Sequence, residues 1–494
     1  MPVSAYGSSE FHNYTLYTNL DESHPLPNGA VCLIVDGLGS SYLFPESEGK
    51  TLVGEHVEKA SLSVLPKIWN SGFRISHMKV PVPVTEKGHS VLVTGNPSAD
   101  AEMVGYAEST VMDVLREEGF LCIGIMQRGD FESMRGKFDV IIYDKTNSVN
   151  NMDFTIQRNS FDGSDPNVLN DTVSVFNSGK NRAASCISAK DAGEKYAGYN
   201  RWGLDVAYDV LSVMEKYPDQ KFILVISVGA VDSTGHYRGY YAYLDAVDKL
   251  DKDLEKLYDK CRRNNLFFLL TADHGMAFEE QNKKGGGHGS SKYSKTNESL
   301  KIPFIVSGNS IKQNAVLFEE TGQEDIAPTL ISLFNIQNQP RFSKGEVLPV
   351  KEKAAFYLQA PEPVQIRLFR LTEDGESEVF NSLGFDRSHG FLKYSVAGLE
   401  PGHYSLKWDL TGSKIKYDRS ETRFQITKDT FIDLSDYSVS TDSFLTSSDE
   451  LPLSASSFLS KYMKPICYLL ITVINAAGIG CIYHFYKNGG FSKN

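Results

Sequence analysis

Several apolar runs in this chain stop abruptly on a carboxylate or an imidazole, and no other feature constrains the fold as much. The sharpest is Leu266 to Met276, which reads Leu-Phe-Phe-Leu-Leu-Thr-Ala-Asp-His-Gly-Met. Consecutive large apolar residues fit a strand buried on both faces, as in a parallel sheet. Asp273 and His274 then stand at its carboxyl end, where open α/β sheets place their chemistry. Ala30 to Val35 ends the same way on Asp36, and Phe222 to Val228 leads into Asp232 and His236. A glycine run, Gly285 to Gly287, delivers His288.

Between these runs the pattern alternates. Helical periodicity over Thr110 to Glu118 is followed by apolar segments at Phe120 to Ile125 and Phe138 to Tyr143, and a helix near Arg201 to Lys216 precedes Phe222. Such alternation predicts an α/β domain over residues 29–345, a mostly parallel sheet with helices on both faces. Residues 1–28 read as a polar lead-in. The Asn-, Ser- and Asp-rich stretch 147–197 reads as an irregular insertion over the working edge of the sheet. From 355 to 434 apolar and polar residues alternate between turns, which predicts a small all-β sandwich.

The C-terminal part has a different character. Residues 435–460 are dense in Ser, Thr and Asp and read as a stalk. Pro465 to Tyr486 contains no Asp, Glu, Lys or Arg. As a helix it would reach about 33 Å, enough to cross a bilayer core. Tyr462, Tyr483 and Tyr486, with Lys461, Lys464 and Lys487, sit where interfacial anchors belong. A membrane-spanning helix over 465–486 with a polar tail, 487–494, is therefore expected. Small side chains in Val3-Ser4-Ala5 fit the spacing of a signal-cleavage site, and with the stalk they favour an extracytoplasmic catalytic domain. The net charge of −12 argues against a nucleic-acid binder. Six cysteines without a Cys-x-x-Cys pair support neither a disulfide framework nor a cysteine metal site.

Strand ends carrying Asp36, Asp232, His236, Asp273, His274 and His288 converge on one rim if the strands are parallel. Carboxylates and neutral imidazoles suit zinc, manganese or related divalent ions, and six such groups suffice for two of them. A covalent catalyst also needs a nucleophile. Thr85 is the candidate, because a cation beside its hydroxyl would favour the alkoxide; Ser90 and Thr94 compete for the role. Lys87 and Arg128 are candidates to contact a phosphate group.

The set Asp36-Gly37, Thr85-x-x-Gly88-His89, Asp232-x-x-Gly235-His236, Thr271-Ala272-Asp273-His274-Gly275 and the late His288 resembles the alkaline phosphatase superfamily in order and spacing. It is especially similar to the nucleotide pyrophosphatase/phosphodiesterase and cofactor-independent phosphoglycerate mutase branches. The resemblance covers about residues 29–340. It implies that Asp36, Thr85, Asp273 and His274 hold one ion and Asp232, His236 and His288 the other, with zinc foremost and manganese or magnesium as substitutes. It also places the nucleophile four residues before the His of the Gly-His pair, which is Thr85. The interval from Thr85 to Asp232 lacks the large second domain of the bacterial mutases, which disfavours isomerisation.

The expected function is thus a membrane-anchored two-metal phosphohydrolase, a phosphomonoesterase or phosphodiesterase working through a phospho-threonine. A phosphoglycerate mutase-like phosphotransferase is the alternative. A catalytically inert surface protein is a third reading, disfavoured because every ligand position holds a competent residue.

Overall fold

The computed structural model describes residues 15–438, apart from 22–24, 130, 160, 162–164, 187, 189–190, 386–389 and 412. Its first strand, β1 (Thr15–Asn19), is followed by β2 (Gly29–Val35), β3 (Gly72–Lys79), β4 (Leu121–Met126), β5 (Val140–Asp144) and β6 (Phe154–Arg158). Then come β7 (Phe222–Val228), β8 (Phe267–Thr271), β9 (Lys301–Ser307), β10 (Ala315–Leu317) and β11 (Thr321–Gly322). Strands β2 to β11 form one ten-stranded sheet, ordered β10-β3-β9-β8-β2-β7-β4-β5-β6, with β11 also on β3.

The middle of this sheet, β8-β2-β7-β4-β5, is parallel. Every residue of β2, β4, β5, β7 and β8 is buried, which is why these strands read as unbroken apolar runs. The sheet as a whole is mixed but mostly parallel, as expected, with six parallel pairings and three antiparallel ones. β9 runs antiparallel to both β8 and β3, and β6 runs antiparallel to β5. The connection from β5 to β6 holds no helix, so the chain turns back beside its own strand instead of crossing over.

Register decides where the chemistry emerges. Val35 pairs with Val228, and Ile34 with Thr271, so β2, β7 and β8 end level with one another. The residues that follow, Asp36, Gly229 and Ala272, therefore leave the sheet on a single rim. The polar stretch 147–197 is more regular than its composition suggests. It contains β6, a long helix over Pro166–Cys186, and the start of another over Ala192–Met214. In the first of these, Val168, Leu169, Thr172, Phe176, Gly179 and Ala183 form one buried stripe. The Asn, Ser and Asp residues on its other faces hide that period.

Seven strands follow: β12 (Ala354–Val364), β13 (Ile366–Thr372), β14 (Gly375–Asn381), β15 (Phe391–Leu399), β16 (Gly402–Trp408), β17 (Glu421–Ile426) and β18 (Thr430–Asp433). They build two four-stranded sheets, β1-β15-β12-β18 and β14-β13-β16-β17. Phe356, Leu358, Tyr394, Leu368, Leu406 and Ile426 belong to the shared core. Residues 15–19 are therefore no lead-in. β1 pairs in parallel with β15, placing Leu16 opposite Tyr394 and burying it in the sandwich core. Leu434–Tyr437, at the start of the expected stalk, forms a short helical turn, and 439–460 lie outside the described residues.

A buried ion pair fastens the sandwich to the α/β layer. Lys351 Nζ donates to Ser332 O (2.8 Å), Asn335 Oδ1 (2.9 Å) and Asp429 Oδ2 (2.9 Å). Asp429 also accepts from the Ala355 amide at 2.8 Å and from Tyr357 at 3.2 Å. Among the described residues no helix is long and apolar enough to cross a membrane. The expected span, 465–486, lies outside them.

Candidate metal centre

Asp36, Asp232, Asp273 and His274 are almost wholly excluded from solvent at the rim. A helix over Thr85–Thr94, α1, opens there, and its first residue carries the Thr85 hydroxyl. Thr85 Oγ1 lies 3.1 Å from His274 Nε2. Backbone amides of the opening turn favour negative charge at this end of the helix. Gly88 allows α1 to come this close, because a Cβ there would stand 2.2 Å from the Asp273 carbonyl oxygen. A second helix, α2 (Ala230–Arg238), follows β7 and carries Asp232 and His236 four residues apart on one face.

Each imidazole is oriented by the same device. His274 Nδ1 bonds to Gly275 O (2.9 Å), His236 Nδ1 to Gly286 O (3.1 Å) and His288 Nδ1 to Pro83 O (2.7 Å). With its Nδ1–H committed to a carbonyl, each ring turns the Nε2 lone pair toward the cluster. His236 Nε2 and His288 Nε2 then face each other at 3.0 Å, and both lie near Asp232 Oδ1, at 3.2 and 3.4 Å. His274 Nε2 is 3.4 Å from Asp36 Oδ1 and 3.4 Å from Asp273 Oδ2, and its ring stacks on His288 at 3.6 Å. Burial pushes the His274 imidazole down despite the pull of Asp273, which keeps it a neutral donor at pH 7.

Both oxygens of Asp36, Oδ1 of Asp232 and Oδ2 of Asp273 are buried without a hydrogen-bond partner. Burial, reinforced by Asp232 and Asp273 nearby, raises the Asp36 carboxyl well above the usual range. Uncompensated carboxylates cost several kcal/mol each in such surroundings, so the site asks for cations. The donors group in two sets close enough to share an ion: Asp232 with His236 and His288, and Asp36 with Asp232 and His274. The first set coincides with the second ion's ligands implied by the resemblance. In the second set Asp232 stands where Asp273 was expected, so one carboxylate borders both positions. Paired facing lone pairs and orphaned carboxylate oxygens fit divalent cations.

Of the two basic candidates only Arg128 reaches the cluster. Its Nη1 bonds to Asp232 Oδ2 and stands 3.7 Å from Asp36 Oδ2. Lys87 turns instead to Asp100 at 3.6 Å on the exposed side of α1. Ser90 and Thr94, the rival hydroxyls, donate back to the carbonyls of Glu86 and Ser90 within α1.

Supporting residues lie behind the ligands. His89 is buried, with Nδ1 bonded to Thr85 O at 3.0 Å and Nε2 3.3 Å from Ser227 Oγ. It sits 3.5 Å from Asp273 Oδ2 and so fixes the nucleophile turn against the strand end. Its only sequence signal is its place four residues after Thr85. Gln323 Nε2 donates to the carbonyls of Ala272 (3.2 Å) and Asp273 (3.0 Å), and Tyr243 Oη donates to Gly37 O at 2.9 Å. Neither carries a motif, because each arrives from a distant element.

Residues 204–338 match the model of the Metalloenzyme superfamily. Local matches include the 2,3-bisphosphoglycerate-independent phosphoglycerate mutases of Moorella thermoacetica (29% identical over 147 residues, 30% of this chain and 26% of the relative) and Vibrio atlanticus (35% over 118 residues, 24% and 21%). The chain thus spans about a quarter of the length of the curated relatives it matches. Among solved structures, alkaline phosphatase PafA is similar at 15% identity and TM-score 0.46, over 66% of this chain and 99% of that one. The lipoteichoic acid synthase LtaP from Listeria monocytogenes is similar at 13% identity and TM-score 0.42, over 73% and 86%. The Metalloenzyme superfamily match spans Asp232, His236, Asp273, His274 and His288, five of the residues that meet at this rim, and over residues 204–338 the chain is similar to that superfamily.

Proposed function

We propose that the protein is a phosphohydrolase that forms a phospho-threonine on Thr85, with Asp36, Asp232, His236, Asp273, His274 and His288 holding two divalent cations, zinc foremost. The observation that carries this reading is the Thr85 hydroxyl, placed at a helix N-terminus 3.1 Å from His274 Nε2, which itself lies 3.4 Å from partnerless oxygens of Asp36 and Asp273. Cations bound there would supply Lewis-acid charge and favour the ionised forms of the hydroxyl and of water.

The chain's own groups account for the rest. Thr85 Oγ1, its proton passed to solvent, attacks phosphorus in line. The P–O bond to the ester oxygen breaks, and the alcohol leaves after taking a proton. Water then attacks the phospho-threonine, the P–Oγ1 bond breaks, and phosphate departs as Thr85 regains its proton. Amides of the first turn of α1 face the transferred group, and Arg128 supplies a positive charge within the same site. His89, Gln323 and Tyr243 hold the ligand-bearing backbone in place. We further propose that the sandwich, residues 355–434 with β1 added to one sheet, is a module distinct from the catalytic domain, and that residues 465–486 anchor the protein in a membrane with catalysis outside the cytoplasm.

A mutase-like phosphotransferase is the second reading, favoured by the local matches to phosphoglycerate mutases. The test is a panel of phosphate monoesters, diesters and phosphoglycerates with the full chain and its Thr85→Ala variant. Phosphate release that depends on Thr85 supports the proposal. Isomerised phosphoglycerate without phosphate release favours the second reading.

A further inference from the structure

Arg128 occupies a place suited to a cation. It leaves the end of β4 and lays its aliphatic stem across Gly229, where an added Cβ would meet Arg128 Cγ at 2.4 Å and Cδ at 2.8 Å. That passage brings Nη1 to Asp232 Oδ2 and within 3.7 Å of Asp36 Oδ2. Both carboxylates belong to the donor set of Asp36, Asp232 and His274. The two imidazoles of the other set approach Asp232 through the opposite oxygen, Oδ1. About a fifth of the Arg128 side chain remains exposed, so the guanidinium has a way out.

We infer that Arg128 is a built-in counter-cation that competes with one of the two metal ions and so imposes an order on their loading. In the metal-free chain its guanidinium offsets part of the negative charge of Asp36 and Asp232. The ion at Asp232, His236 and His288 uses donors that Arg128 leaves free and binds first. The ion at Asp36, Asp232 and His274 binds only as the guanidinium withdraws, which lowers its apparent affinity by the fraction of chains in which the donors are free. The withdrawn side chain is then available to the phosphoryl group. Gly229 is what makes the resident position accessible, since any side chain there would push Arg128 aside.

This inference rests on the two-cation reading of the site, and titration of the metal-stripped full chain with Mn²⁺ by calorimetry separates the two. The wild type is expected to bind in two steps of unequal affinity. Arg128→Gln and Gly229→Ala should each tighten the weaker step by about tenfold or more and leave the stronger step little changed. Metal-stripped Arg128→Gln should also melt at a lower temperature than the metal-stripped wild type, because the carboxylates lose their counter-charge. Two steps with wild-type affinities in both variants would overturn the inference while leaving the two-cation reading intact. No Mn²⁺ uptake by the wild type would overturn both. Should Arg128→Gln fail to fold, phenylglyoxal labelling of the wild type, read by peptide mass spectrometry, decides. Arg128 must react faster after the second equivalent of Mn²⁺, and an unchanged or slower rate rejects the competition.

Discussion

Two of the places where the molecule shields carboxylates from solvent treat them oppositely. At the seam between the sheet and the sandwich, Asp429 is met by Lys351, the Ala355 amide and Tyr357, and Lys351 spends its other donors on Ser332 and Asn335. At the rim, Asp36, Asp232 and Asp273 crowd together with four oxygens that lack a hydrogen-bond partner, and a single guanidinium, that of Arg128, faces Asp36 and Asp232. A closed charge network serves structure, since its members are complete without a visitor. An open one raises the free energy of the fold and is retained where something must bind. The contrast separates stability from function more clearly than burial does, because the side chains of both groups are largely shielded from solvent.

The largest effect expected from breaking the comparison falls on turnover. Thr85→Ala should lower kcat/KM on the best ester by on the order of 10⁴-fold, about 5.5 kcal/mol of barrier. Calorimetry should still find Mn²⁺ uptake by this variant, and unimpaired hydrolysis would remove Thr85 from the nucleophile role. Asp429→Ala, at the closed site, should leave Lys351 buried without its counter-charge and cost about 3 kcal/mol in urea unfolding. Metal uptake should be unaffected, and a loss below about 1 kcal/mol would show that the pair is no fastening.

Leu16→Ala tests whether β1 is an integral strand. Emptying a buried leucine site should cost about 2 kcal/mol, with hydrolysis per folded molecule unchanged. A loss within error would return residues 15–19 to the status of a lead-in. Asp36→Asn carries the smallest effect and the opposite sign. Removing one of three crowded charges should stabilise the metal-stripped chain by about 1 kcal/mol while weakening Mn²⁺ binding. Destabilisation by this variant would mean that Arg128 by itself compensates all three carboxylates and that the contrast with Asp429 is false.

What could be read from the sequence follows the same division. Strands buried on both faces spell themselves out as apolar runs, so β2, β7 and β8, and the ligands at their ends, were legible from local pattern alone. The buried stripe of the Pro166–Cys186 helix was not, because a single apolar face amid Asn, Ser and Asp residues leaves the composition of a loop. β1 was illegible for another reason: its five residues carry one buried leucine, and their partner strand lies near the opposite end of the fold. Nor could spacing show that Asp232 belongs to both donor sets, or that Arg128 enters and Lys87 does not. Those facts depend on where side chains converge in space, and only the order of the ligands is written along the chain.

The pairing of β1 with β15 has a consequence for the birth of the protein. A ribosome releases residues 15–19 early, yet their partners at 393–397 follow only after most of the chain has been made. At ~5–20 residues per second the strand waits for tens of seconds. Throughout that interval the whole ten-stranded sheet can assemble, while β1 remains a loose end with an unpaired edge. The first of the described strands to be synthesised is thus among the last to be placed, because its docking waits on β15.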